Sequence, residues 1–400
     1  MINTKVSYAK TVYGSNEIKA VVKCLKESTQ MGNYSNKFEK KIAKLFDKKH
    51  CLYVNSGSSA LFIGIESYNF PKNSEVITPA LTFSTTVGCL VKNNLIPSFV
   101  DVEYDTFCID VSKIESMINK KTVAILAPNL MGNICDWDKI SKIAKKYNLA
   151  VIEDSADTVG ATLNSRSTGH YVDMSITSFY GSHIINCAGN GGALCINSDK
   201  IMKKAKLLRS WGRSSSLFDE KSEKIENRFN VKLDGKDYDA KFVFEEIGYN
   251  LEGNEVGAAF GLEQLKSLKK NIKIRKLNFK KQSKFFGKLN KYFVTPKENP
   301  NCSTAWLAYP LIIKKNSKFK RKDFQIYLEK NNIQTRVVFT GNILRQPGFK
   351  NIKKKTSKLG YPNSDNIMEN GVLLPVHHGM TKEMFSHFYS TINNFIKLYG

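Results

Sequence analysis

Five short apolar runs punctuate the first part of the chain, at residues 51–54, 76–78, 98–102, 123–127 and 150–152. Between several of them lie segments of helical period, among them Trp137–Tyr147. Short continuous apolar runs leave no face for water, so the strands must lie in a largely parallel sheet with helices covering both sides. In such a sheet ligands bind at the carboxyl ends of the strands. The alternation therefore sets an α/β class and says where along each strand a site should lie.

The pattern changes after about residue 290. Residues 305–313, 324–331, 335–339 and 382–398 read as short strands and helices of a second α+β unit. Four hundred residues suit a large and a small domain better than one core. The expected division is a large ligand-binding domain over residues 1–270 and a small C-terminal domain over 271–400. Residues 256–268 suggest a helix leading into a lysine-rich one, and the polar stretch 214–239 reads as a long surface loop or flap.

The formal net charge is +25. Such an excess can serve nucleic acids. Here the lysines are scattered, and the densest stretches, Lys266 to Lys291 and Lys353 to Lys355, read as solvated helix faces and a loop. No nucleic-acid partner is expected. The 42% hydrophobic share is ordinary for a globular chain, and no apolar run approaches a membrane span. Met1-Ile2-Asn3-Thr4-Lys5 lacks an apolar signal core, so a cytoplasmic location is expected. The eight cysteines form no CxxC pair, and no metal site is expected.

Four segments carry candidate chemistry. Asn55-Ser56-Gly57-Ser58-Ser59 follows a strand and opens a helix. Free N–H groups there suit a phosphate, and equally serve a plain N-cap. Glu153-Asp154-Ser155-Ala156-Asp157 ends a buried run, which aims acids at a ligand or simply complements a helix dipole. Ser178-Phe179-Tyr180-Gly181-Ser182-His183 ends another strand and precedes Gly189-Asn190-Gly191-Gly192. Ile247-Gly248-Tyr249-Asn250-Leu251 offers an amide ahead of a helix, and Phe83 a flat ring that reads alone as core.

Taken in order, these segments resemble the DegT-type sugar aminotransferase family of pyridoxal-phosphate enzymes, fold type I, from about Gly32 to the C-terminus. That resemblance implies a mostly parallel seven-stranded sheet in the large domain. It is nearest to the branch that removes the C3 hydroxyl from nucleotide-linked 4-keto-6-deoxyhexoses, whose Ser-Phe-Tyr-x-x-His pattern stands here at 178–183. Arg209-Ser210-Trp211-Gly212-Arg213 and the stretch from Thr335 through Asn342 to Arg345-Gln346-Pro347 look like that branch too. The resemblance places His183 where relatives carry the lysine that forms a Schiff base with the cofactor. An imidazole has no primary amine but titrates near neutral pH, so His183 is the expected catalytic base.

By the same resemblance, Gly57, Ser58 and Ser178 would bind the cofactor phosphate, Phe83 would stack on its ring, and Asp154 would pair with the ring nitrogen. Asp157 stands where many relatives have glutamine or glutamate near the phenolic oxygen. Asn250 would reach the phosphate held by the partner of a homodimer, and Arg336, Asn342 and Arg345 are candidates for the nucleotide-sugar site. The implied reaction is a C3-dehydration by non-covalent pyridoxamine 5'-phosphate, which returns as pyridoxal 5'-phosphate and is re-aminated by L-glutamate, with release of ammonia. The alternatives are a nucleotide-sugar aminotransferase, a 3-dehydrase that needs an external reductase, and a cofactor-binding regulator without catalysis.

Two departures qualify the resemblance. In one subgroup the cysteines of an iron–sulfur cluster begin just after the Ser-Trp-Gly-Arg stretch. Here Ser214-Ser215-Ser216 follow Arg213, so no cluster is expected and the chain resembles the cluster-free type of the colitose pathway. The other is the segment 184–190, a residue or two longer than in relatives, which bears on the loop after His183.

Overall fold

The computed structural model describes residues 4–218 and 225–400. Its large sheet has seven strands: β1 (His50–Val54), β2 (Glu75–Pro79), β3 (Ile96–Val100), β4 (Thr122–Pro128), β5 (Ala150–Ser155), β6 (Met174–Ser178) and β7 (Gly192–Ile196). The order across the sheet is β1-β7-β6-β5-β4-β2-β3. Only β7 runs against its neighbours, pairing antiparallel with both β1 and β6. All five apolar runs are strands, displaced by a few residues at their ends. Their residues are buried on alternating and intervening positions alike, because helices cover both faces.

On one face lie α3 (Gly57–Tyr68) and α6 (Asp199–Arg209), whose Leu61, Ile65, Met202 and Leu208 pack on Leu52, Ile152 and Leu194. On the other face α5 (Trp137–Tyr147) buries Trp137, Ile140 and Ala144 against Ile125 and Val151. The remaining helices of this part are α1 (Ser15–Glu27), α2 (Asn33–Leu45) and α4 (Ser84–Lys92).

The two helices expected over 256–291 are a single one, α7 (Glu255–Gly287), 33 residues long. Asn254 caps it by accepting from the Gly257 N–H. The boundary expected at 270/271 falls inside this helix, which runs unbroken from one unit to the other. Beyond it, β8 (Phe293–Val294), β9 (Tyr309–Ile313), β10 (Arg336–Val337) and β11 (Gly371–Leu374) form an antiparallel sheet in the order β8-β9-β11-β10. It is flanked by α8 (Arg321–Lys330), α9 (Pro362–Asn370) and α10 (Lys382–Tyr399). The core of this unit is rich in aromatic rings, with Phe286, Phe293, Phe324 and Phe395 all buried. The N-terminal segment belongs to it as well: Val6 is fully buried there and bridges to Ile333.

The stretch 214–239 departs from the loop expected of it. Its described residues include a short helix, Ile225–Phe229, and a hairpin of Val231–Leu233 on Lys236–Tyr238; residues 219–224 lie outside the described residues. Asp234 and Gly235 take positive φ in the two-residue turn, the geometry that an Asp-Gly pair supports.

Candidate active site

A cavity of about 370 Å³ opens at the carboxyl ends of β4, β5 and β6, against the N-terminus of α3. Two glycines make this corner possible. A Cβ on Gly57 would lie 2.8 Å from the Ser178 Cβ, and one on Gly192 would lie 2.2 Å from the Ser56 carbonyl carbon. Without side chains there, the end of β6 and the first turn of α3 touch. Ser56 caps that helix by accepting from the Ser59 N–H at 3.0 Å. The first-turn backbone of Gly57 and Ser58 thereby faces the same space as the Ser178 hydroxyl and as Thr85, whose Oγ1 accepts from Ser58 at 3.2 Å. A helix N-terminus ringed by hydroxyls on glycine-tight backbone suits a phosphate.

Asp154 lies at the end of β5 and is nearly fully buried. Its Oδ2 accepts from Thr86 at 2.8 Å and its Oδ1 from the Ala156 N–H at 3.1 Å. Burial raises its pKa, while these two hydrogen bonds oppose the rise. Each oxygen keeps acceptor capacity for a protonated ring nitrogen. Asp157 accepts from the Met131 N–H at 2.7 Å. Desolvation, with the Asp154 charge adding to it, pushes its pKa up to about 7.

His183 lines the same cavity. Its Nδ1 lies 3.1 Å from the Ser178 carbonyl oxygen. A carbonyl only accepts, so Nδ1 carries the proton and Nε2 is left with the lone pair. The His183 pKa is lowered to about 4, chiefly by burial and in smaller part by the Arg275 charge, against the opposing Ser178 hydrogen bond. The imidazole is therefore neutral at pH 7 and holds the tautomer of a base. Among the described residues, no lysine lines the cavity.

The loop after His183 is well packed. Ile184, Ile185 and Cys187 are buried, and the Asn186 amide donates to Gln264 at 3.4 Å. The Gly181 N–H donates to Gly189 at 2.9 Å, which closes the loop on itself. Phe83 stands at the cavity mouth, 48% exposed, with its ring edge-on to Phe339 at 5.9 Å. Phe339 has φ +43, a region that costs an aromatic residue about 1–3 kcal/mol.

The other sequence candidates lie elsewhere. Arg336 is exposed and reaches over the Tyr8 ring at 5.4 Å, while Tyr8 itself forms cavity wall. Asn342 is fully buried, caps a 3-10 turn and donates to Asp365 at 2.7 Å. Arg345 grips the same carboxylate with two bonds of 2.9 and 2.7 Å. Both side chains tie that turn to α9, and neither is among the residues lining the cavity. Asn250 is exposed and lies outside the chain's own cavity. In the Arg209–Arg213 stretch, Arg209 bonds Glu39 and the Tyr53 carbonyl, a folding role. The hydroxyls of Ser214 and Ser216 donate to the carbonyls of Ala240 and Arg213. Tyr8, Thr85 and Leu307 line the cavity without having been proposed as site residues from sequence, while Asn190 and Phe339 lay in segments noted there without an assigned role.

This arrangement of sheet, helix N-terminus and strand-end acids is the aminotransferase fold of pyridoxal-phosphate enzymes. The DegT/DnrJ/EryC1/StrS aminotransferase family pattern matches residues 12–393, and the chain belongs to that family. It is 31% identical, over 97% of its length and 91% of the relative's, to the lipopolysaccharide biosynthesis protein RfbH of Salmonella typhimurium. The GDP-perosamine synthase of Caulobacter vibrioides is 30% identical over 68% of this chain and 67% of that one. Among solved structures, the E. coli GDP-4-keto-6-deoxy-D-mannose-3-dehydratase with bound hydrated PLP superposes with a TM-score of 0.87 at 28% identity, covering 97% of this chain and 98% of that one.

Proposed function

We propose that the protein is a C3-dehydratase of a nucleotide-linked 4-keto-6-deoxy sugar, working with non-covalent pyridoxamine 5'-phosphate and L-glutamate. The observation that carries this reading is the cavity wall: it contains His183 in its base tautomer and, among the described residues, no lysine. An ordinary transaminase needs an amine there to hold its cofactor between turnovers. The similarity to a 3-dehydratase over nearly the whole chain supports the same choice. The similarity to a perosamine synthase keeps the aminotransferase as the second reading.

The residues fit the cofactor. Gly57, Ser58, Ser178 and Thr85 would hold its phosphate, Asp154 would accept from the protonated ring nitrogen, Phe83 would cover a ring face, and Asp157 would sit by the phenolic oxygen. Bound, the aminated cofactor supplies an amine for the C4 ketone and a ring that takes up electrons. With its lone pair on Nε2, His183 would serve as the base that takes a proton beside the ring and as the acid that gives it to the leaving C3 hydroxyl. Asp154, held by Thr86 and the Ala156 N–H, would accept from the ring nitrogen and favour its protonated form. Glutamate supplies the two electrons and leaves as 2-oxoglutarate, while its nitrogen is released as ammonia. The serines at 214–216 are bound into local carbonyl contacts, which favours a turnover without a partner reductase. The protein is proposed to act in the cytoplasm as a homodimer, with Asn250 reaching the partner's phosphate site.

Substitution of His183 by lysine tests the reading. The variant should gain an absorbing cofactor adduct that borohydride traps and should lose dehydration. A borohydride-trapped lysine in the wild-type protein would overturn the assignment.

A further inference from the structure

Arg275 is fully buried near the middle of α7. Its Nε donates to His378 Nδ1 at 3.1 Å, and its Nη1 donates to the carbonyls of Trp306 and Leu307 at 3.0 and 3.1 Å. Among the described residues no carboxylate lies within ion-pair distance of it, and Nη2 is buried with no partner. A buried, unpaired cation is costly. A methionine of similar length would fill the space without that cost, so stability alone does not account for this side chain.

Its contacts lead to the cavity. The Leu307 N–H donates to the Met131 carbonyl at 2.8 Å, and the Met131 N–H donates to Asp157 at 2.7 Å. Met131 and Gly132 take φ of +58 and +105, and a Cβ on Gly132 would lie 2.6 Å from the Trp306 Cα, so the two segments are in backbone contact. Trp306 is stacked on Phe279, 4.6 Å away and one turn along α7 from Arg275. The guanidinium and the phenyl ring thus clamp two successive residues, and Leu307 is itself cavity wall.

We infer that Arg275 is a positioning residue of the proposed dehydration: it fixes the Leu307–Met131 wall that aims Asp157, and it holds a positive charge against Leu307, which lines the same cavity as His183. The other titratable groups around His183 are Asp154 at the end of β5, Asp157 just beyond it, Tyr180 on its own segment, and Tyr8 from the N-terminal segment, all of which line the cavity. Of the charges acting on His183, Arg275 opposes formation of the imidazolium and so keeps Nε2 free for a proton. The inference rests on His183 acting as the base.

The test compares Arg275→Met and Arg275→Lys. Histidine resonances of the protein without cofactor are titrated by NMR, with His183→Gln used for assignment, and melting curves verify the fold. In Arg275→Met the His183 midpoint should move to higher pH, and the acid limb of kcat/KM should move with it. Arg275→Lys keeps the charge but not the fork on two carbonyls. Its His183 midpoint should stay near wild type while kcat falls ~10- to 100-fold at little-changed KM. An unmoved His183 midpoint in folded Arg275→Met, or wild-type kcat in Arg275→Lys, overturns the inference. If the methionine variant does not fold, the lysine variant's kcat decides alone. Failure of the functional reading itself would show separately, as wild-type protein without dehydration.

Discussion

Protonation at individual residues makes the site sensitive to pH in two opposed ways. His183 is depressed from 6.5 to about 4, and the buried His377 and His378 to about 4 and about 3. A depressed group contributes stability above its unfolded pKa and loses it as pH falls through the folded value. These three histidines should therefore destabilise the cofactor-free protein between about pH 6.5 and 4. Asp157 is raised from 3.8 to about 7, so its contribution is present below 3.8 and lost as pH rises through 7. Asp157→Asn should accordingly raise the melting temperature more at pH 8 than at pH 5. Melts at the two pH values check this, and an equal shift at both would contradict it. Legibility at this scale was uneven. Asp154, Ser178 and His183 were readable because each ends or follows an apolar strand. Tyr8 was not, because nothing in its sequence neighbourhood reports that the N-terminal segment folds back beside Asp157.

Among the elements, α3 and α7 decide most of the site. Gly57→Ala would force its methyl group within 2.8 Å of Ser178 and push the first turn of α3 off the end of β6. Cofactor affinity should fall about tenfold or more, on the scale of a displaced phosphate contact, and the overpacked corner should also lower the melting temperature; fluorescence titration of pyridoxamine phosphate and melting curves measure the two. α7 carries a buried polar stripe that the lysine-rich composition concealed. Gln264, Asn271, Arg275 and Asn278 donate to the carbonyls of Val12, Ile184, Trp306 with Leu307, and His377. Their spacing follows the helix, but a stripe of amides reads from sequence as solvent-facing, because only the fold supplies carbonyls to meet it. The turn at Asn342–Arg345 shows a second effect that sequence does not report. Its polar residues resemble a binding motif, yet Asp365, supplied by α9, takes both side chains. Arg345→Ala should leave KM for the nucleotide sugar unchanged and cost no more than about 1 kcal/mol in stability, since the pair is largely exposed. A several-fold rise in KM would return Arg345 to the substrate site.

At the scale of the whole molecule, the covered parallel sheet followed directly from its apolar runs. Strand β7 was harder to see. It enters as Gly192-Ala193-Leu194 beside a loop, and nothing local says that it reverses direction to pair with both β1 and β6. That reversal places Gly192 against Ser56 and so helps to shape the phosphate corner. The continuity of α7 across the two units was likewise invisible, because its first half is apolar and its second half basic. The central claim is that this scaffold carries a dehydration and not an amino transfer. It is tested most directly by following the products of a nucleotide-linked 4-keto-6-deoxy sugar with glutamate, in the absence of any reductase. The account predicts one ammonia and one 2-oxoglutarate released for each 3-deoxy 4-keto sugar formed. A 4-amino sugar, formed with 2-oxoglutarate but no free ammonia, would contradict it.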